Sequence, residues 1–474
     1  VNSDATVRSI PALVDALARR ARAALRVARS GGEAVLAAAC GRVELQDPLA
    51  AAVASRQAAE PWFAIQHGEG GFSALAALGC ALELTAAGED RFRRLAAHWL
   101  RLCARAQFDH SDGPPGSGLA AFGALAFAAH GARTMAWDGF APSSLIVPEL
   151  SLARRGGDCW LTATVLVDPD ADVDALLARC ARRLEALHVR PLPLLDPAPS
   201  GRYHVASALP PSHYEQAVER AVARIRAGEL EKIVLAREVE VHAPAPHDPA
   251  AILGVLRDAF PGCFAFAIGR GEGTFLGASP ELLIRRDGSR ASTVALAGSS
   301  RRSSDPAVDE HLGERLLRSA KDREENAIVA RRIARALAPH ALWVTAAPEP
   351  LLVRVANIQH LATPIRAQLS RPLSVLELAG LLHPTPAVGG EPWERARELI
   401  PALEGMDRGW YAGALGWVDA NGDGELCVAL RCALLRGRVA RCYAGCGIVR
   451  DSEPAAELAE TEIKLGALLP LLAG

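Results

Sequence analysis

The sequence predicts an α+β fold built on large antiparallel sheets. Strand-like segments come in adjacent runs, at 233–241, 263–268, 274–276 and 282–286, with a hairpin at 413–418 and 425–435. That order disfavours a doubly wound parallel sheet, in which strands and helices alternate. Long amphipathic stretches at 307–337 and 455–472 predict helices beside those sheets.

The elements follow in order. Residues 7–40 are rich in Ala, Leu and Arg at helical spacing. Residues 42–152 mix short apolar runs with Gly and Pro, which predicts strands and two or three helices. Within them, 87–108 puts Leu95, Trp99, Leu100 and Cys103 on one helical face. Residues 159–167 alternate like a strand, and 173–187 form an amphipathic helix. Six prolines within 191–211 mark the candidate internal boundary. It separates an N-terminal region, 1–200, read as part of the same fold, from a catalytic region, 201–474. Ser212 followed by Glu215 reads as a capping box opening a helix over 212–227, and 250–259 is a further helix.

Bulk composition narrows the function. Lys plus Arg total 52 against 54 for Asp plus Glu, so no charge excess points to nucleic acid or an anionic membrane as partner. Charged residues interrupt every apolar run before it could cross a bilayer. The first twenty residues are amphipathic and lack the apolar stretch and cleavage site of a signal peptide. The ten cysteines are scattered with no C-x-x-C pair, as expected of buried thiols in a reducing compartment. The expectation is a soluble cytoplasmic protein, monomeric by default.

Two motifs invite functions that their contexts exclude. Asp419, Asn421, Asp423 and Gly424 match the first half of a calcium loop, but Leu430 occupies the twelfth position, where a bidentate Glu is needed. A Gly-rich hairpin turn explains them. Gly116 and Gly118 are followed by Gly123, too late for a dinucleotide fingerprint.

The acidic helices carry more chemistry. Asp322 and Glu325 share one helical face, as do Glu457, Glu460 and Lys464. If the two faces met, four carboxylates would surround one point, a site suited to a hard cation such as magnesium. The same spacings also fit i,i+4 ion pairs on solvated helices, Lys321 with Glu325 and Glu460 with Lys464.

Eight segments decide between these readings. They are EKIVLAR (231–237), GASPELL (277–283), LAGSSRR (296–302), SAKDREE (319–325), QHLATP (359–364), LHPTPA (382–387), YAGCGIV (443–449) and ETEIK (460–464). In this order they resemble the chorismate-binding enzymes: the isochorismate, salicylate, anthranilate and aminodeoxychorismate synthases. The resemblance is strong from Ser212 onward and weaker over 42–152, where FAPSSLIVP (140–148) looks like the isochorismate synthase version. It implies a sandwich of large antiparallel sheets flanked by helices, with the active site between them.

The resemblance also implies roles. Glu325 and Glu460 would bind Mg2+ directly, and Asp322 and Glu457 would hold its waters. Lys464 and Arg431, on the second hairpin strand, would take the substrate carboxylates with backbone N–H groups around Gly298 and Gly445. His360 would line the pocket. Lys232 stands where the aminating members carry Gln, which implies water as nucleophile, a base to activate it, and no glutamine amidotransferase subunit. Read without the family, Lys232 is better taken as a solvated lysine pairing with Glu231. Glu281, at the start of an apolar strand, would be the acid, its pKa raised by partial burial. The implied reaction adds water at ring C2 of chorismate and expels the C4 hydroxyl, giving isochorismate. Ala297 replaces the nucleophilic lysine of one aminodeoxychorismate branch. Ser299 and Ala387 resemble the isochorismate synthases more than the salicylate synthases, which go on to eliminate pyruvate.

Overall fold

The computed structural model describes residues 3–68, 73–109, 111–196, 200–355 and 358–473. Val1 and Asn2 of the amphipathic N-terminus, and Pro197 to Pro199 of the proline-rich stretch, lie outside the described residues. Two antiparallel sheets, of twelve and ten strands, face each other. Both draw strands from either side of residues 191–211: Trp62–His67 pairs with Phe264–Arg270, and Ala120–Leu125 with Ala414–Asp419.

Strand alternation explains how the larger sheet is buried on both faces. In Val35–Val43, Leu36 and Ala38 point into the core between the sheets, while Val35, Ala37 and Ala39 face outward. The outward side is covered by the helix Ser3–Gly31 through Leu13, Leu17, Ala21, Ala24 and Ala28. The inner core is aromatic, with Phe63, Phe122, Phe266, Phe275 and Trp410 almost fully buried. Among the described residues no helix is long and apolar enough to cross a membrane.

Several boundaries differ from the sequence reading. The first helix stops at Gly31, with Gly32 at φ +70°, so 35–40 belongs to a strand. The stretch 307–337 is two helices, Pro306–Arg318 and Ala320–Leu337, broken at Ser319. Ser319 is the N-cap of the second; its hydroxyl accepts from the Asp322 N–H, which aims that helix's first turn. The stretch 455–472 likewise divides into Pro454–Leu465 and Leu469–Leu472. No capping box forms at Ser212. The helix Pro211–Arg226 starts one residue earlier with Pro211 in its first turn, where a missing N–H costs nothing. The 425–435 strand is also two strands. Gly424–Val428 lies in the smaller sheet and Cys432–Arg436 in the larger. Arg431 sits at the crossing with φ +47°, not on a hairpin strand. The 419–424 turn is held by Asp419 Oδ1, which accepts from the Asn421 and Asp423 N–H groups.

Candidate active site

Four elements converge near the middle of the sandwich. Lys232 begins the strand Lys232–His242 and is fully buried. Its Nζ stands 2.9 Å from Glu325 Oε1, on the helix Ala320–Leu337, and not against Glu231. The contact lacks hydrogen-bond alignment, so Lys232 Nζ has no hydrogen-bond partner among the described residues.

Asn326, the next residue, fixes that helix. Its amide donates to the carbonyls of Ala295, Ala297 and Leu361 and accepts from Thr363. Asp322 packs under Gly298, where a Cβ would come within 3.0 Å of Asp322 Cβ; with φ +80° as well, only glycine fits. Gly298 also lies at a break in the pairing between Arg290–Arg301 and Ile358–Leu369.

The helix Pro454–Leu465 brings the second cluster. Glu460 pairs with Lys464 at 2.8 Å and accepts from Ser299 Oγ at 2.7 Å. Lys464 also donates to Gly445 O at 2.8 Å. Burial pushes the Glu460 carboxyl up, but Lys464 and Ser299 outweigh it and bring it down to about 2. Glu457 is buried and pairs with Lys321 of the facing helix at 3.1 Å. The two acidic helices therefore meet. One i,i+4 pair forms, Glu460 with Lys464, while Lys321 reaches across to Glu457 and leaves Glu325 to Lys232.

On another wall, Glu281 is 2 % exposed, and its pKa is raised to about 8 by burial, against the opposing fields of Lys232 and Lys464. His360 is lowered to about 3 by burial and by Arg431. The neutral ring faces Arg431 Nη2 at 3.1 Å. Arg431 Nη1 is buried without a hydrogen-bond partner among the described residues.

The cavity they share is lined by Glu281, Gly298, Ser299, Glu325, His360, Ala387, Arg431, Gly445, Glu460 and Lys464, and holds about 70 Å³. Asp322 and Glu457 stand behind this lining. Larger cavities exist, but none gathers these lysines and carboxylates. With Lys232 tied to Glu325 and Lys464 to Glu460, the space is below the roughly 300 Å³ typical of ligand pockets.

Residues 22–473 match the family described as chorismate binding enzyme. The chain belongs to that family. Over 83 % of its length it is 41 % identical to the salicylate biosynthesis isochorismate synthase of Pseudomonas aeruginosa, covering 81 % of that protein. It is 35 % identical to the isochorismate synthase MenF of Bacillus subtilis over 81 % of its length and 80 % of the relative. The fold matches the menaquinone-specific isochorismate synthase of Escherichia coli with a TM-score of 0.78 and 28 % identity, across 98 % of this chain and 100 % of that one. It also matches anthranilate synthase component I of Streptococcus pneumoniae, with a TM-score of 0.61 and 21 % identity, across 85 % and 88 %.

The geometry of this chorismate-binding enzyme adds residues that sequence reasoning did not assign. Tyr411 and Tyr443 stack at 5.2 Å and line the cavity. Gly447 leaves the space in which Lys232 meets Glu325, since a Cβ there would lie 2.3 Å from Glu325 Oε1 and 2.7 Å from Lys232 Cε. Both Tyr443 and Gly447 fall inside the quoted 443–449 segment, which was the available signal. Gly447→Ala is expected to lower turnover by on the order of 100-fold, the effect of misplacing reacting groups by about 1 Å. Its melting temperature should stay near that of the unsubstituted enzyme, because the clash is with flexible side-chain ends. Steady-state kinetics beside a thermal melt checks both halves.

The donor set fits a divalent cation. Its atoms are hard carboxylate oxygens, and the acids are crowded. Burial, reinforced by Glu325 and Glu460, raises Asp322; burial and Glu460 raise Glu457. Among the described residues only Glu457, Glu460 and the Cys446 thiol place ligand atoms within 4.8 Å of one another, so Glu325 and Asp322 do not complete the four-carboxylate cluster that the sequence suggested. A cation would relieve that repulsion.

Proposed function

We propose that this enzyme is an isochorismate synthase, which converts chorismate reversibly to isochorismate. The observation that carries the reading is a buried carboxyl group, Glu281, in the wall of the cavity, with a fully buried lysine, Lys232, set behind that wall against the lining residue Glu325. Burial raises Glu281 to about 8 and so keeps its proton at neutral pH. Lys464 and Arg431 supply the positive charge that a dicarboxylate needs, and their partners Gly445 and His360 hold both in place. Lys232 takes a proton from water as its oxygen bonds to ring C2. The ring double bonds shift, and Glu281 gives its proton to the C4 hydroxyl, which leaves as water. Each turnover leaves Lys232 protonated and Glu281 ionised, and a proton passed from Lys232 to Glu281 by way of solvent resets both. Glu325 and Glu460 would hold Mg2+, with Asp322 and Glu457 behind them. When bound, the cation supplies positive charge that fixes the ring carboxylate and draws electron density toward it. No amidotransferase subunit is needed, because water is the nucleophile. The names of the relatives support the same reaction, in salicylate and menaquinone biosynthesis respectively.

Incubation with chorismate and magnesium, followed by chromatography, should give a stable mixture of isochorismate and chorismate. Coupling to lactate dehydrogenase should show almost no pyruvate. Ala387 is the small residue on which this rests, since Ser299 commits its hydroxyl to Glu460. Ala387→Thr narrows the pocket and should raise pyruvate release from a trace. Pyruvate formed by the unsubstituted enzyme as fast as chorismate disappears would make it a salicylate synthase instead.

A further inference from the structure

A second cavity, of about 610 Å³, lies behind the loop that carries Ala387. This is well within the size range of small-molecule sites, roughly 300–1,000 Å³. Aromatic rings form its walls. Phe127 meets Trp393 edge-on at 5.8 Å and His383 at 6.2 Å, and Phe92 stands 5.5 Å from His383. A ring cage of this kind ordinarily suits a cation. Here two guanidinium groups already occupy that role, Arg408 at 4.1 Å over Phe127 and Arg91 at 4.9 Å over Phe92. A cationic ligand would be repelled.

The cavity lining carries four arginines and four carboxylates, but their contacts leave Arg91 without a paired carboxylate: Glu398 turns to Arg395, outside the lining. Arg397 pairs with Glu89, Arg332 with Glu391, and Arg408 with Glu404. Asp407 is satisfied by the backbone N–H groups of Ala132, Arg133, Thr134 and Gly409. Arg91 is 4 % exposed and donates only to the carbonyls of Ala126 and Phe127. Its Nε is buried without a hydrogen-bond partner, and it makes no carboxylate pair among the described residues. Glu89, already paired with Arg397, acts on Arg91 through its field without a hydrogen bond; a buried charge lacking a hydrogen-bonded partner is costly, so an anionic acceptor suits Arg91. Arg91 also opens the helix Arg91–Arg105, whose N-cap Asp90 makes no side-chain cap hydrogen bond. The positive end of that helix's dipole favours negative charge as well.

We propose that this cavity is a second binding site, for a planar aromatic carboxylate, with the carboxylate on Arg91 and the ring among Phe92, Phe127 and Trp393. The site is mechanically joined to the first. Arg408 lines the second cavity and donates to Val388 O at 2.8 Å and Val234 O at 2.9 Å, and both of those residues line the first. Glu404, its buried partner, accepts from the Ala236 N–H on the strand that carries Lys232. Occupancy of the second site therefore alters turnover without competing for chorismate, a consequence that rests on the function proposed above.

The binding test does not rest on it. Titrating the full chain with 2-naphthoate, read by calorimetry, should show binding that survives saturating chorismate and persists in Lys464→Ala, which weakens the first cavity's hold on carboxylates. Arg91→Gln should weaken it roughly 10- to 100-fold, the effect of losing a hydrogen bond to a charged group. Trp393→Leu should weaken it too, and it covers the case in which Arg91→Gln fails to fold. Benzyltrimethylammonium should not bind. Binding lost in Lys464→Ala but kept in Arg91→Gln and Trp393→Leu, or no binding at all, overturns the proposal. Naphthoate binding in a protein that makes no isochorismate would instead overturn the proposed function and leave this site standing.

Discussion

Glu281→Gln lowers chorismate turnover by roughly 100- to 10,000-fold while chorismate still binds, because the amide keeps the shape of the acid but cannot deliver its proton. The pH dependence shows which group is responsible. Burial raises Glu281 to about 8, so the proton-bearing form dominates at neutral pH and is lost as the pH rises through that value. The alkaline limb of the kcat/KM profile should therefore fall near pH 8 in the unsubstituted enzyme and vanish in the Gln variant. The same shift acts on stability. A carboxyl group whose folded pKa lies above its ordinary 4.5 stabilises the fold fully below that value and loses the contribution as the pH climbs to about 8. Glu281→Gln should thus flatten the loss of melting temperature over that window. Lys232→Gln, removing the opposite member of the pair, should lose water addition to a similar degree and admit ammonia as nucleophile at high ammonium concentration. Near-normal turnover in both variants would mean that the base and the acid are misassigned.

Most of this fold was legible in the sequence wherever burial is one-sided or apolar runs are long. The strand Lys232–His242 and the helix Pro249–Ala259 emerge within a residue of where the pattern puts them. The strands Arg290–Arg301 and Ile358–Leu369 do not. The first carries the Gly298 break and a run of serines; the second holds Gln359, His360, Thr363 and Pro364 in buried or half-buried positions. Polar residues inside a strand erase the period-two signal; here Ser299 and His360 border the cavity, while Thr363 holds Asn326 and Gln359 bonds to Arg301 O. The helix break at Ser319 was hidden for a related reason, since apolar periodicity continues on both sides of a cap. For the site, residue types and spacings on each helix were readable, but their partners were not. Glu325 was equally able to pair with Lys321 on its own helix. Only the folded chain shows that Lys321 is taken by Glu457 and Glu325 by Lys232. Arg431 was placed on the wrong element because Glu425 to Leu435 reads as one apolar strand, and nothing local reveals that the chain changes sheets there.

That exchange of partners governs the expected response to metal removal. Glu325→Gln and Glu460→Gln should each abolish turnover at ordinary magnesium concentration, because each removes a full charge from the oxygen set proposed to bind the cation. Structural damage should be small. Gln retains the volume of Glu, and the helix that carries Glu325 is held independently by the Asn326 amide. The two variants should nonetheless differ in a diagnostic way. Glu460 is tied to Lys464 and Ser299, so Glu460→Gln also disturbs a proposed contact to the substrate carboxylate and should weaken chorismate binding. Glu325 is tied to Lys232, so Glu325→Gln frees the proposed base without touching Lys464 and should leave chorismate binding stronger than in Glu460→Gln. Excess magnesium should restore part of the activity of Glu325→Gln if the loss is one of metal affinity. Activity of the unsubstituted enzyme that persists undiminished in EDTA would remove the cation from the mechanism. The four carboxylates would then have only a structural role, met by the three lysines already beside them.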